Sequence, residues 1–157
     1  MGAVDHRTGT FTEFEAFVAG AAGRLLHVAV LLTGEPETDP PIARRLLAGA
    51  LARTYAQWHR LRADDPYEFT RRRLCAAYAR TAWRQDARTA WRQDAGTGIL
   101  APLSPKERLV LVLRVYEGVA EEVTAAQLGL SPERVQALRA GALAKLRAGA
   151  ADGGTAA

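Results

Sequence analysis

The stretch "LSPKERLVLVLRVYEGVAEEVTAAQLGLSPERVQALRAGALAKLR", Leu103 to Arg147, decides the fold. Ser104, Pro105 and Glu107 predict an N-cap, a first helical proline and a capping box. Gly118 ends that helix. Two further helices follow, broken at Gly129, and Ser131-Pro132 repeats the Ser-Pro start signal. Ala125 supplies a small residue where a second helix must cross closely. Gly129, four positions on, tolerates a left-handed turn. Val135 and Leu138 then lock the second helix onto the first. Residues 121 to 140 therefore fit a helix-turn-helix. A plain helical hairpin satisfies the same twenty residues, so the rest of the chain has to discriminate.

Upstream, helical periodicity continues and strand signals are almost absent. "FTEFEAFVAGAAGRLLHVAVLLTG" spaces Phe14, Phe17, Val18, Leu25, Val28 and Leu32 as a helix does and stops at Gly34. "EPETDPP" breaks the chain with three prolines. "IARRLLAGALARTYAQWHRL" predicts a second helix with Leu46, Ala50, Tyr55 and Trp58 near one face. Asp65 and Pro66 predict the N-cap and first residue of a third helix, which runs through "YEFTRRRLCAAYARTAWRQ". "AGTGILAPL" reads as a loop. The expected architecture is all-α, in two small helical domains. The first spans 10–87, a linker spans 88–102, the helix-turn-helix domain spans 103–149, and 150–157 is a disordered tail.

Composition narrows the function classes. The 157 residues carry 48% hydrophobic and 24% charged side chains and a net charge of +4. One cysteine, Cys75, excludes an intrachain disulfide and any zinc site with two thiolates. His6, His27 and His59 lack metal-ligand spacing, and there is no phosphate loop or nucleophile-base pattern. No enzyme, no metal and no cofactor is expected. The sequence gives no signal-peptide core and no stretch is read as a membrane span, so a cytoplasmic protein without a membrane partner is expected.

With both halves read, the chain resembles the sigma-70 family of RNA polymerase sigma factors, and within it the short extracytoplasmic-function, sigma-E-like type of actinobacteria. In the C-terminal half the resemblance is carried by Leu103-Ser104, Glu107-Arg108, Val110 to Arg114, Tyr116-Glu117, Thr124-Ala125-Ala126, Leu128-Gly129, Ser131, Val135 and Ala142-Leu143-Ala144. In the N-terminal half it is carried by "FTEFEAFV", "LLTG", "ALARTYAQWHRL" and "DPYEFTRRRL". It covers roughly residues 10 to 148 and implies a sigma-two-like bundle followed by a sigma-four-like helix-turn-helix. It also implies promoter DNA and core RNA polymerase as partners, with an anti-sigma or other regulatory protein as a third, and no catalysis.

The implied sites map onto named residues. The recognition helix offers Ser131, Glu133, Arg134, Gln136 and Arg139 to the major groove, where Arg reads guanine and Gln reads adenine. From Ser131 to Arg147 four basic residues and one acid give a local charge of +3. Family members usually carry Lys at the position of Gln136 and often Arg at that of Gly141. Both charges are absent here, which weakens phosphate contact. The first domain offers Arg71, Arg72, Arg73, Tyr78, Arg80, Trp83 and Arg84 for phosphate contact and base stacking. Packing against the second helix is the alternative for the two aromatics. Ala76 stands where the family commonly has Asn.

The polymerase-binding segment departs most. The family has an acidic, glutamine-containing run in the second helix. This chain has Arg44, Arg45, Leu47 and Ala48 there. Reversed charge at a charge-complementary interface costs through repulsion as well as lost pairing. An alternative function follows: a sigma-like protein that no longer engages core polymerase in the usual mode and acts as a DNA-binding regulator or protein-binding module.

"RTAWRQDARTAWRQDA", residues 80 to 95, is one octapeptide written twice. It places Arg80, Arg84, Arg88 and Arg92 four apart, along a slowly drifting helical stripe. From Arg71 to Ala95, seven arginines against two aspartates give +5, the most basic part of the chain. An eight-residue step rotates about 80°, so Trp83 and Trp91 cannot share a face. The second copy reads as a spacer before the reading head, with an extended phosphate-binding stripe as the alternative.

Overall fold

The structure, a computed structural model, describes residues 2–88 and 98–154. Six helices form the described chain: α1 Gly2–Thr33, α2 Pro41–Ala56, α3 Pro66–Arg88, α4 Pro105–Leu111, α5 Glu121–Leu128 and α6 Pro132–Gly153. The class is all-α, as expected, with no strand among the described residues. The second octapeptide copy, apart from Arg88, lies outside the described residues.

Local signals explain most boundaries. Gly34 adopts φ +71 after α1, a conformation that only glycine enters without strain. The prolines that follow stop the helix from resuming. Glu35 then reaches forward to cap α2: its carboxylate accepts from the amides of Ile42 at 2.9 Å and Ala43 at 2.7 Å. Asp65 caps α3 by accepting from the Tyr67 amide at 2.9 Å. Ser104 and Glu107 form the predicted capping box on α4. Gly129 sits at φ +66, and Ser131 accepts from the Arg134 amide at 3.1 Å.

Several expectations need correction. The second helix does not reach Leu61. It ends at Ala56, and a 3₁₀ turn spans Trp58–Ala63. Its buried face is Ala43, Leu47, Ala50 and Thr54. Tyr55 and Trp58 sit at the rim instead, in an aromatic cluster with Phe14 of α1, whose ring centroid lies 4.9 Å from Tyr55 and 5.4 Å from Trp58. The buried face of α2 packs against both α1 and α3. The expected disordered tail from 150 is also wrong as far as Gly153, because α6 runs on through the alanine-rich, helix-favouring end. The N-terminal helix likewise begins at Gly2, before the expected domain start at 10. Finally, a membrane span was not expected, yet Asp5–Thr33 is long and apolar enough for one, with mean hydropathy 1.7. In this fold one face of it enters the core, where Leu25, Val28 and Leu32 are fully buried.

The two halves pack together. One hydrophobic cluster joins Leu25, Val28 and Leu32 of α1 and Leu74 of α3 to Leu103, Leu109 and Leu113 of the C-terminal half. A smaller cluster of Val110, Ala125, Val135 and Leu138 holds the helix-turn-helix. Buried Arg108 stitches the halves. Its guanidinium donates to the Leu32 carbonyl at 3.1 Å and to the Leu103 carbonyl at 3.1 Å. The C-terminal carbonyls of α1 lack helical partners, so a charged donor here answers a real deficit. On α2 and α3, the hydroxyls of Thr54 and Thr70 meet at 2.7 Å inside the core.

Candidate nucleic-acid interface

α6 presents its predicted residues outward. Ser131, Glu133, Arg134, Gln136 and Arg139 are all exposed, while Val135, Leu138 and Ala142 are buried. The alternation follows from packing on one side only, against α4 and α5. The N-cap at Ser131 fixes where the helix begins, and so which side chains stand at its N-terminal end. Behind this face, Glu107 braces α6 against α4. Its carboxylate accepts from the Lys145 ammonium at 2.7 Å and from the Ser104 amide at 3.1 Å. Burial pushes the Glu107 carboxyl up, but the Lys145 ammonium and the Ser104 donors together hold it below the usual carboxylate range. A Cβ on Gly141 would meet Glu107 Oε2 at 3.8 Å, ordinary contact, so packing does not demand glycine there.

α3 divides its predicted residues between surface and interior. Arg72, Arg73, Arg80 and Arg84 are exposed, and Trp83 is 40% exposed. Arg72, Arg73, Arg80 and Trp83 border a groove of about 690 Å³ that runs to the end of α5 at Gln127 and Gly129. Arg73 lies over the Phe69 ring at 5.1 Å, and the Lys106 ammonium lies 5.7 Å from the Trp83 ring. Two expected contacts are corrected. Tyr78 is buried in the shared core, so the packing alternative holds in this structure and its ring is not open to bases. Arg71 is buried as well, with its Nη1 3.6 Å from Glu117 Oε2. Cys75, on the same helix, is buried, and loss of hydration pushes its thiol up to about 12, out of the reactive range.

The residues of α2 expected at a polymerase contact also divide. Arg44, Arg45 and Ala48 are exposed on α2. Arg44 pairs with Asp39 at 3.0 Å. Leu47 is corrected: at 8% exposure it belongs to the core and offers nothing to a partner.

One cluster was missed by sequence reasoning. After α4 the backbone widens into a single π turn, Val112–Tyr116, and the Glu117 amide donates to the Val112 carbonyl at 2.9 Å. The extra residue rotates Tyr116 and Glu117 toward the N-terminal half. The Glu117 side chain, 1% exposed, receives Arg24 Nη2 of α1 at 3.1 Å and the Tyr67 hydroxyl of α3 at 2.6 Å. Arg71 is its third partner. Burial and the adjacent Glu117 carboxylate drive the Tyr67 hydroxyl pKa up, so it stays a donor. Ninety-three residues separate Arg24 from Glu117, and no sequence periodicity links them.

With this geometry in place, comparison with known proteins places the chain. Residues 99–148 match the family described as "Sigma-70, region 4". The RNA polymerase sigma-E factor of Streptomyces coelicolor is 32% identical, over 88% of this chain and 86% of its own length. The RNA polymerase sigma-E factor of Streptomyces avermitilis is 34% identical over the same shares. Among solved structures, that of CnrH in complex with the cytosolic domain of CnrY superposes with a TM-score of 0.51 at 28% identity, covering 93% of this chain and 92% of that one. The chain therefore belongs to the sigma-70 family of RNA polymerase sigma factors, in its extracytoplasmic-function, sigma-E-like group.

Proposed function

We propose that this sigma factor recognises promoter DNA by setting the N-terminal end of α6 into the major groove, while the exposed arginines and Trp83 of α3 hold phosphates and stack on bases. The observation that carries the reading is the outward face of α6, where Glu133, Arg134, Gln136 and Arg139 stand free of the core that Val135 and Leu138 anchor. Arg71 and Tyr78 are left out of the interface in the compact state. The protein acts by binding, without catalysis, in the cytoplasm where its polymerase is. Gel-shift titration with Arg134→Ala and Arg139→Ala tests the groove assignment. Unchanged affinity in both would remove α6 from it.

A second reading rests on α2. Arg44 and Arg45 are exposed where the resemblance to the family implies acids. In that reading polymerase engagement is weakened, and the chain works as a DNA-binding regulator or a protein-binding module. Capture of core polymerase at low salt separates the two, since failure to bind leaves only the second. A regulatory protein partner is proposed by analogy with CnrH, solved with the cytosolic domain of CnrY.

A further inference from the structure

The Arg24, Tyr67 and Arg71 cluster is a site for an anion, and the ligand it holds here comes from the other half of the molecule. Two guanidinium groups and one hydroxyl converge on a single carboxylate, with contacts of 3.1, 3.6 and 2.6 Å. Two positive charges face one negative charge, so the cluster keeps a net charge of +1 with Glu117 in place. The Arg24 and Arg71 guanidinium carbons also lie 5.5 and 5.9 Å from the centre of the Tyr67 ring, which orients the donors without using any of them. Arg71 Nε is buried with no hydrogen-bond partner, so the seat offers one donor more than the carboxylate satisfies. A phosphodiester has the same charge as a carboxylate, and its tetrahedral oxygens can meet donors from more directions. All three donors stand on α1 and α3, and α3 also carries the exposed Arg72, Arg73, Arg80 and Arg84.

We infer that Arg24, Tyr67 and Arg71 form a seat for a DNA backbone phosphate, that Glu117 fills it when the two halves are closed, and that closure and phosphate binding at this seat exclude each other. Glu117 then acts as an internal competitor. Separation of the halves frees Arg71, which the compact state withdraws while Arg72, Arg73, Arg80 and Arg84 stay exposed. The inference rests on the proposed DNA-binding function and adds Arg24 and Tyr67 to it.

The test uses the full chain, a generic duplex oligonucleotide and two readouts: the radius of gyration by small-angle X-ray scattering, and DNA affinity across a salt series. Glu117→Gln keeps the shape and removes the charge. It should enlarge the radius of gyration, tighten DNA binding about tenfold and steepen the salt slope by about one phosphate contact. Adding Arg24→Gln or Tyr67→Phe to that variant should reverse most of the gain, and each should have a smaller effect alone, because the seat is already filled in the parent. Expansion without a gain in affinity overturns the competition. An unchanged radius overturns the clasp. Gain in the Glu117→Gln variant that Arg24→Gln leaves intact overturns the seat. If Glu117→Gln does not fold by circular dichroism, Arg24→Gln alone replaces it. Arg24 is half exposed, and its loss should loosen the compact state while lowering DNA affinity. Loosening with higher affinity overturns the seat. Arg134→Ala and Arg139→Ala report separately on the α6 assignment, so an α6 failure with a persisting Arg24 effect is distinct from failure of the seat.

Discussion

The two arginine-bearing helices, α3 and α6, use the same kind of side chain in different ways. α6 packs on one side, against α4 and α5, and all its predicted contact residues point to solvent. α3 packs against α2, α1 and α4, so a larger arc of its surface is covered. Arg71, Arg72 and Arg73 are consecutive, about 100° apart around the helix, and only Arg71 falls within the covered arc. A run of like charges is thus no guide to which of its members reaches a ligand. The number of helices packed around the run decides that, and here it is decided by residues far along the chain.

The comparison can be broken most severely in the core. Leu74→Ala removes a fully buried α3 side chain and should cost about 2–5 kcal/mol in chemical denaturation. A loss under about 1 kcal/mol would mean that α3 is not enclosed on several sides. Next, Arg71→Ala strips a partner from buried Glu117 and should destabilise the fold by about 1–3 kcal/mol. Its exposed neighbour Arg72→Ala should stay within about 0.5 kcal/mol of the parent. Equal effects of the two would erase the distinction between the arcs.

On α6 the pattern reverses. Arg134→Ala and Arg139→Ala should leave the denaturation midpoint in place. Each should weaken DNA binding by about tenfold at low salt and flatten the salt dependence. The brace behind that face is sensitive to acid. The folded Glu107 carboxyl lies below its unfolded value, so its contribution is present above the unfolded pKa and lost as pH falls through the folded one. Stability should drop below about pH 4, and Lys145→Met should make that drop shallower in urea titrations run across the acid range. The smallest effect is a gain. Gly141→Ala should stabilise by about 0.5–1 kcal/mol, because the new methyl meets only ordinary contact and the helix loses a flexible residue.

Much of this was legible along the chain. Gly34, Asp65, Ser104, Gly129 and Ser131 act within a few residues of themselves, and each marks the boundary expected of it. The outward face of α6 was legible for the same reason: Val135 and Leu138 mark its buried side by spacing alone. Leu47 and Arg71 were not legible as interior residues, and for Tyr78 the sequence left packing and base stacking both open. Their positions depend on how three helices meet, and a helical pattern records one buried face and not a second. The reach of α6 to Gly153 was hidden by glycines that resemble a tail.

The sequence by itself determined the all-α class, the helix-turn-helix, the family and the residues on the outward face of α6. Each of these rests on local caps, turns and periodicity, which act within one or two helical turns. Only the tertiary structure decided that the two halves share a core, and that Arg24, Tyr67 and Arg71 gather around Glu117. Those contacts join residues 46 to 93 positions apart, through a π turn that rotates one side chain into place. Such a meeting follows from packing in three dimensions, because no short-range rule couples residues that distant.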